Sequence, residues 1–126
     1  ITEYKRLNLI QRSKEMGLYM GQKLNELKAR HRSIGDVRGI GLFWAVEIVK
    51  DQQSKEAFNS YADKVSGVPL MVDKVAAEMM KNGVFVQAWV SHFVIAPPLI
   101  ISKEEIDAGV QALDQALRIA DEAISK

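Results

Sequence analysis

Gly35-Asp36-Val37-Arg38-Gly39-Ile40-Gly41-Leu42-Phe43-Trp44-Ala45-Val46-Glu47-Ile48-Val49-Lys50-Asp51 is the stretch on which the fold turns. From Leu42 to Val49 only Glu47 is charged, and β-branched and aromatic residues dominate, so this part reads as a long strand between turn signals. Alternation puts Leu42, Trp44, Val46 and Ile48 on one face and Phe43, Ala45, Glu47 and Val49 on the other. Both faces are largely apolar, which predicts a central strand covered on both sides.

Working outward, residues 3–30 read as one long helix. Leu7, Ile10, Gly17, Met20, Gly21, Leu24 and Leu27 fall three and four apart along one stripe. Glycine is costly inside a helix, so Gly17 and Gly21 on the packing stripe predict close approach by another backbone. Lys28, Arg30 and Arg32 suit the negative end of the helix dipole, and His31 among them reads as a solvated partner of that dipole. Gly35 then closes the connection into the strand.

Beyond Asp51, residues 52–69 turn polar and read as a surface excursion with a short helical turn near Phe58 to Tyr61. Val72, Val75, Ala76, Met79 and Met80 give a second amphipathic helix from Met71, ended by Asn82-Gly83 as a left-handed cap. The two methionines read as core filler. Val84-Phe85-Val86 and Phe93-Val94-Ile95-Ala96, joined by a turn through Ser91, predict a short hairpin that Pro97-Pro98 terminates. Ser102 and Glu105 form a capping box, and Ile106, Val110, Leu113, Leu117, Ala120 and Ile124 continue a final helix. The order predicts an α+β fold: a small, largely antiparallel sheet with helices packed mainly on one face, in a single domain spanning residues 1–126. The second apolar face of the long strand lacks a cover within the chain and points to a partner surface or a further domain.

Composition narrows the function classes. With 17 basic and 16 acidic residues the net charge is +1, which gives no general attraction to nucleic acid or anionic membranes. The absence of cysteine removes disulfides, thiolate nucleophiles and cysteine-based zinc sites, and suits a cytoplasmic protein. No apolar run approaches a membrane span.

Motifs for chemistry are sparse. Gly39-Ile40-Gly41 enters a strand instead of opening a helix, so it reads as turn or bulge glycines, not a phosphate loop. His92 has no metal-ligating companion nearby in sequence, and no metal site is expected. Trp44 and Trp89 belong either in a core or interface or at a ligand pocket. Arg38 either pairs with Asp36 or binds an anion. These residues contain no complete set of catalytic groups.

Gly35 to Leu42, followed by Glu47 to Asp51 and by Ser54-Lys55-Glu56, resembles the segment that opens the C-terminal small domain of class III pyridoxal-phosphate-dependent aminotransferases. Ile95-Ala96-Pro97-Pro98-Leu99-Ile100-Ile101-Ser102-Lys103-Glu104-Glu105-Ile106-Asp107 is similar to that family's closing motif, and Asn82-Gly83-Val84 matches the strand entry between them. The resemblance covers essentially the whole chain and implies a domain of a fold type I enzyme. In such an enzyme a large domain carries pyridoxal 5'-phosphate and its lysine. It further implies an intact homodimer and transfer of an amino group from an ω-amino acid or amine to a 2-oxo acid such as pyruvate. On this reading the chain carries no catalytic and no cofactor-binding residue and is inactive alone, forming a wall of the substrate cleft with Trp89, His92 and Val94. Several members hold a substrate carboxylate with an arginine just before the Pro-Leu motif, and the corresponding position here is Val94. The other classes consistent with the residues are a self-standing α+β binding or regulatory domain using an exposed sheet face, and an oligomerisation module.

Overall fold

The computed structural model describes residues 1–125; Lys126, at the end of the predicted final helix and domain span, lies outside them. The quoted stretch forms a hairpin instead of a single strand. β1 (Ile34–Ile40) runs into β2 (Phe43–Ile48) through the two-residue loop Gly41-Leu42. Gly41 has φ +56°, which glycine adopts without a Cβ penalty, so the expected glycine turn lies here. The first half of the stretch is short of large apolar side chains, which is why it reads as connector from sequence. Its strand character comes from pairing with β2 across the turn.

Gly35 is an extra residue between the Ile34–Ile48 and Asp36–Glu47 pairs, a bulge at the strand entry. The Lys55 ammonium donates to its carbonyl at 2.5 Å, and Gln52 donates to the carbonyls of His31 and Ile34. Asp51 accepts from the backbone N–H groups of Gln53 and Ser54 and thereby folds this loop back onto the bulge.

The sheet is completed by β3 (Gln87–Trp89) and β4 (His92–Ile95), in the order β1-β2-β4-β3, with every pair antiparallel. The second strand falls within one residue of the expected Phe93 to Ala96, but the first, expected at Val84 to Val86, is displaced by three residues. That segment instead leads out of the preceding helix cap, and pairing begins at Gln87. β2 is central as expected, but the chain covers only one of its faces.

The predicted first helix is broken. α1 (Thr2–Arg6) ends at Leu7, and Asn8, at φ 51°, starts α2 (Leu9–Arg30) in a new direction. Asparagine tolerates this left-handed conformation better than most residues. The break takes Leu7 and Ile10 off the core stripe, and Ile10 is 81% exposed.

Gly17 meets another backbone at close range, as expected, whereas Gly21 meets a side chain. A Cβ on Gly17 would lie 2.2 Å from the Gly41 carbonyl oxygen, and one on Gly21 would lie 2.5 Å from the Trp44 ring. Helix α2 therefore rests directly on the β1–β2 turn, and the Trp44 indole N–H donates to the Gly41 carbonyl at 2.7 Å beside it.

Beyond the loop at 51–56, α3 (Tyr61–Val65) is a single capped turn, with Ser60 and Asp63 exchanging the capping-box bonds. α4 (Met71–Lys81) ends with Gly83 at φ +80°, and the Val84 and Gly83 N–H groups return to the carbonyls of Met79 and Met80, the C-terminal cap expected of Asn82-Gly83. Met79 is core and Met80 is surface. α5 (Lys103–Ala116) starts at the Ser102–Glu105 capping box. It continues past Leu117 into α6 (Arg118–Ser125) without losing the i→i−4 bonds of Leu117 and Asp121.

The core lies between the sheet's inner face and these helices: Val46, Ile48 and Phe93 from the strands, Leu24 and Leu27 from α2, Val72 and Val75 from α4, Leu113 and Leu117 from the C-terminal helix. Each such side chain stabilises the fold by about 1.5–3 kcal/mol relative to exposure. No described helix is long and apolar enough to cross a membrane.

Candidate functional site on the open sheet face

Register decides which side chains share the uncovered face. Directly paired residues lie on one side of a sheet, so the pairs Val37–Val46, Val46–Phe93 and Ala88–Phe93 mark the inner face. The outer face carries three rows: Asp36, Glu47, His92 and Trp89; then Arg38, Ala45, Val94 and Gln87; then Ile40 and Phe43. The three residues proposed from sequence, Trp89, His92 and Val94, come together here. Ile40, Phe43 and Gln87 complete the surface. Sequence reading missed Ile40 and Gln87 because their strands, β1 and β3, are visible only through pairing.

This face is apolar at one end and charged at the other. Ile40 is 82% and Phe43 60% exposed, a pair of large side chains that no element of the chain covers. Arg38 Nη1 donates to Asp36 at 2.8 Å and to Glu47 at 3.1 Å, so of the two readings of this arginine the structure supports the ion pair. The Arg38 hydrogen bond holds the Asp36 carboxyl below the usual carboxylate range, and Asp36 and then Glu47 hold the guanidinium above its ordinary value. At this exposure each pair contributes at most about 1 kcal/mol. His92, without an acidic companion in sequence, stands opposite Glu47 in the sheet. Among the described residues no cluster of three or more metal-ligating side chains occurs.

Trp89 is exposed on this face, not buried in the core of the chain. The Lys64 ammonium sits 4.5 Å from its ring centroid, a cation–π contact worth about 0.5–1 kcal/mol at a wet site. Between Trp89 and His92 the loop Val90-Ser91 places Val90 at φ 48°, a conformation that costs a branched residue about 1–3 kcal/mol.

Two further features complete the picture: a cavity that reaches this face at Gln87 and Val94, and a buried histidine. An apolar cavity of about 680 Å³ opens between α2, α4, α5 and the segments at 83–86 and 95–98, lined by Met20, Leu24, Met79 and Leu113 among others. His31 is buried, contrary to the solvated role expected for it. Its Nδ1 lies 2.5 Å from Asp121 and its Nε2 2.6 Å from Asp114. Asp121 also accepts from the Ser33 hydroxyl and N–H, so α5 and α6 are fastened to the end of α2 and the start of β1. The carboxylates lie more than 80 residues from His31 in the chain, and nothing near it in sequence announces them.

A glycine-turned hairpin resting on a helix, a four-stranded antiparallel sheet bare on one side and a Pro-Pro-terminated last strand define a small α+β unit. The chain belongs to the class III aminotransferase family, whose model matches residues 1–117. It is 37% identical to an uncharacterized aminotransferase of Schizosaccharomyces pombe over 92% of the chain and 26% of that protein. To the taurine–pyruvate aminotransferase of Rhodobacter capsulatus it is 34% identical over 87% of the chain and 24% of that protein. Among solved structures, an (S)-enantioselective ω-transaminase from Thermomicrobium roseum superposes with a TM-score of 0.80 at 31% identity, over 93% of the chain and 24% of the enzyme. An S-selective transaminase from Arthrobacter sp. with alanine bound gives 0.86 at 26% identity, over 97% and 28%. The chain spans about a quarter of the length of the relatives it matches.

Enzymes of this family use pyridoxal phosphate, which requires a lysine amine for its aldehyde and N–H or cationic donors for its phosphate. The residues described here do not fit that group. Glu105 is the one charged residue lining the apolar cavity, no lysine lines it, and Arg38 on the open face is engaged by two carboxylates.

Proposed function

We propose that this chain is the C-terminal small domain of a pyridoxal-phosphate-dependent aminotransferase that moves an amino group from an ω-amino acid or amine to a 2-oxo acid such as pyruvate. The observation that carries this is the bare outer face, in a chain that belongs to the family and spans about a quarter of its relatives' length. Ile40 and Phe43 seat against the large domain of the same polypeptide, which supplies the lysine and the phosphate contacts. Trp89, His92 and Val94 form the part of the same face that lines the substrate cleft, and the enzyme works as a cytoplasmic homodimer.

The donor assignment rests on charge. Val94 is apolar where a carboxylate-binding arginine would stand. The arginine in its row, Arg38, lies two strands away and is neutralised by Asp36 and Glu47. Two carboxylates, the engaged guanidinium, the Lys64 ammonium over Trp89 and an apolar patch leave the face near neutral with its arginine occupied, which suits an uncharged donor end better than a carboxylate.

Expression of the full polypeptide that contains this chain tests the proposal. Visible absorbance from a lysine-bound cofactor and alanine formation from pyruvate with an arylalkyl amine are expected. A polypeptide without a cofactor lysine would refute it, and interconversion of amino-acid enantiomers without alanine formation would replace amino transfer by racemisation. The 126-residue chain alone is expected to bind an apolar dye and to associate. A clean monomer without dye binding would favour the self-standing binding domain.

A further inference from the structure

The two hairpins of the sheet close with loops of the same length and different chemistry. Gly41-Leu42 joins β1 to β2 with its first residue at φ +56°; Val90-Ser91 joins β3 to β4 with its first residue at φ 48°. Glycine meets this demand freely, whereas valine, branched at Cβ, meets it under strain. The strain is held in place from two sides. The Ser91 N–H closes on the Trp89 carbonyl at 2.5 Å, and the Ser91 carbonyl accepts from the Ile48 N–H of the central strand at 2.8 Å.

The residues flanking this turn are cross-strand partners on the open face: Trp89, stacked under Lys64, and His92, opposite Glu47. A glycine at position 90 would give the hairpin tip many more backbone states. Valine removes most of them. We propose that Val90 is a positioning residue, whose strained turn fixes the spacing and orientation of Trp89 and His92 where they meet the amine donor. The proposal rests on the aminotransferase reading above. Val90 acts through its two neighbours and not by touching the donor.

The test uses the full polypeptide with pyruvate as acceptor and an arylalkyl amine as donor, comparing wild type with V90G, V90A and V90T. V90G is expected to raise the thermal midpoint through relief of strain. It should also raise KM for the amine about tenfold while kcat and the cofactor absorbance stay within about twofold. V90T, which keeps the branched Cβ, and V90A, which keeps the Cβ, should stay within about threefold of wild-type KM. A wild-type KM in V90G, or a lowered midpoint, would overturn the proposal. So would a KM raised as much in V90A as in V90G, which would make the isopropyl group itself the contact, or one raised as much in V90T. Wild type without amino transfer would sink the aminotransferase reading, whereas an active wild type matched by V90G would sink only the role of Val90.

Discussion

Gly17→Ala tests the seat of α2 on the β1–β2 turn. An added Cβ would lie 2.2 Å from the Gly41 carbonyl oxygen, 2.5 Å from its carbon and 2.8 Å from its Cα, all backbone atoms of a turn fixed by its own pairing. No rotamer change relieves such a clash, so the helix must retreat by roughly 1 Å over a core packed to crystal-like density. Overpacking of this kind costs about 3 kcal/mol when the obstructing group is backbone. The substitution also gains about 1 kcal/mol of helix propensity, because a glycine leaves the helix interior. The net expectation is a loss of about 2 kcal/mol. Gly109 supplies the control, since a Cβ there meets nothing within 4 Å, and Gly109→Ala in α5 should gain about 0.5–1 kcal/mol. Urea denaturation followed by circular dichroism reads both. A Gly17→Ala protein as stable as the Gly109→Ala protein would refute the close approach of helix and turn.

Three further outcomes are expected. His31→Ala strips Asp114 and Asp121 of the ring between them and should cost about 2–3 kcal/mol in urea denaturation, with the loss centred on the junction of α2, β1 and α6. Arg38→Met should let the Asp36 carboxyl titrate at a higher pH, followed by carbon-detected NMR. Because the folded-state value is depressed, the stabilisation from the pair is present above the unfolded value and lost as pH falls through the folded one, so the variant should lose less stability in acid than wild type. The Tyr19 phenol, bonded to Asp107 at 2.5 Å and pushed up to about 12 by that bond, should ionise nearer its ordinary value in Asp107→Asn, as read by ultraviolet absorbance in alkali.

Periodicity made the helices legible because each buries one stripe, and the capping residues at Ser102 and Asn82-Gly83 marked real boundaries. The break at Asn8 escaped because the apolar spacing runs on through it. β1 escaped for a different reason: Gly35, Gly39 and Gly41 are turn residues by composition, and only the facing strand makes a ladder of their neighbours. The open face was half legible. Alternation along β2 and β4 separates Phe43 and Val94 from the core, while the union of four strands into three rows depends on register. His31 was misread because its partners are brought to it by the last helix.

The clasp at His31 also bears on how the protein is made. During synthesis His31 and Ser33 emerge some 80 to 90 residues before Asp114 and Asp121, so the entry to the sheet stays unfastened until α5 and α6 have been made. Contacts of such sequence separation form late and pay the largest loop-closure cost. A chain ending before α6 would lack Asp121, and with it both bonds to Ser33 and one of the two to His31, so the start of β1 would be held to the helices only through Asp114.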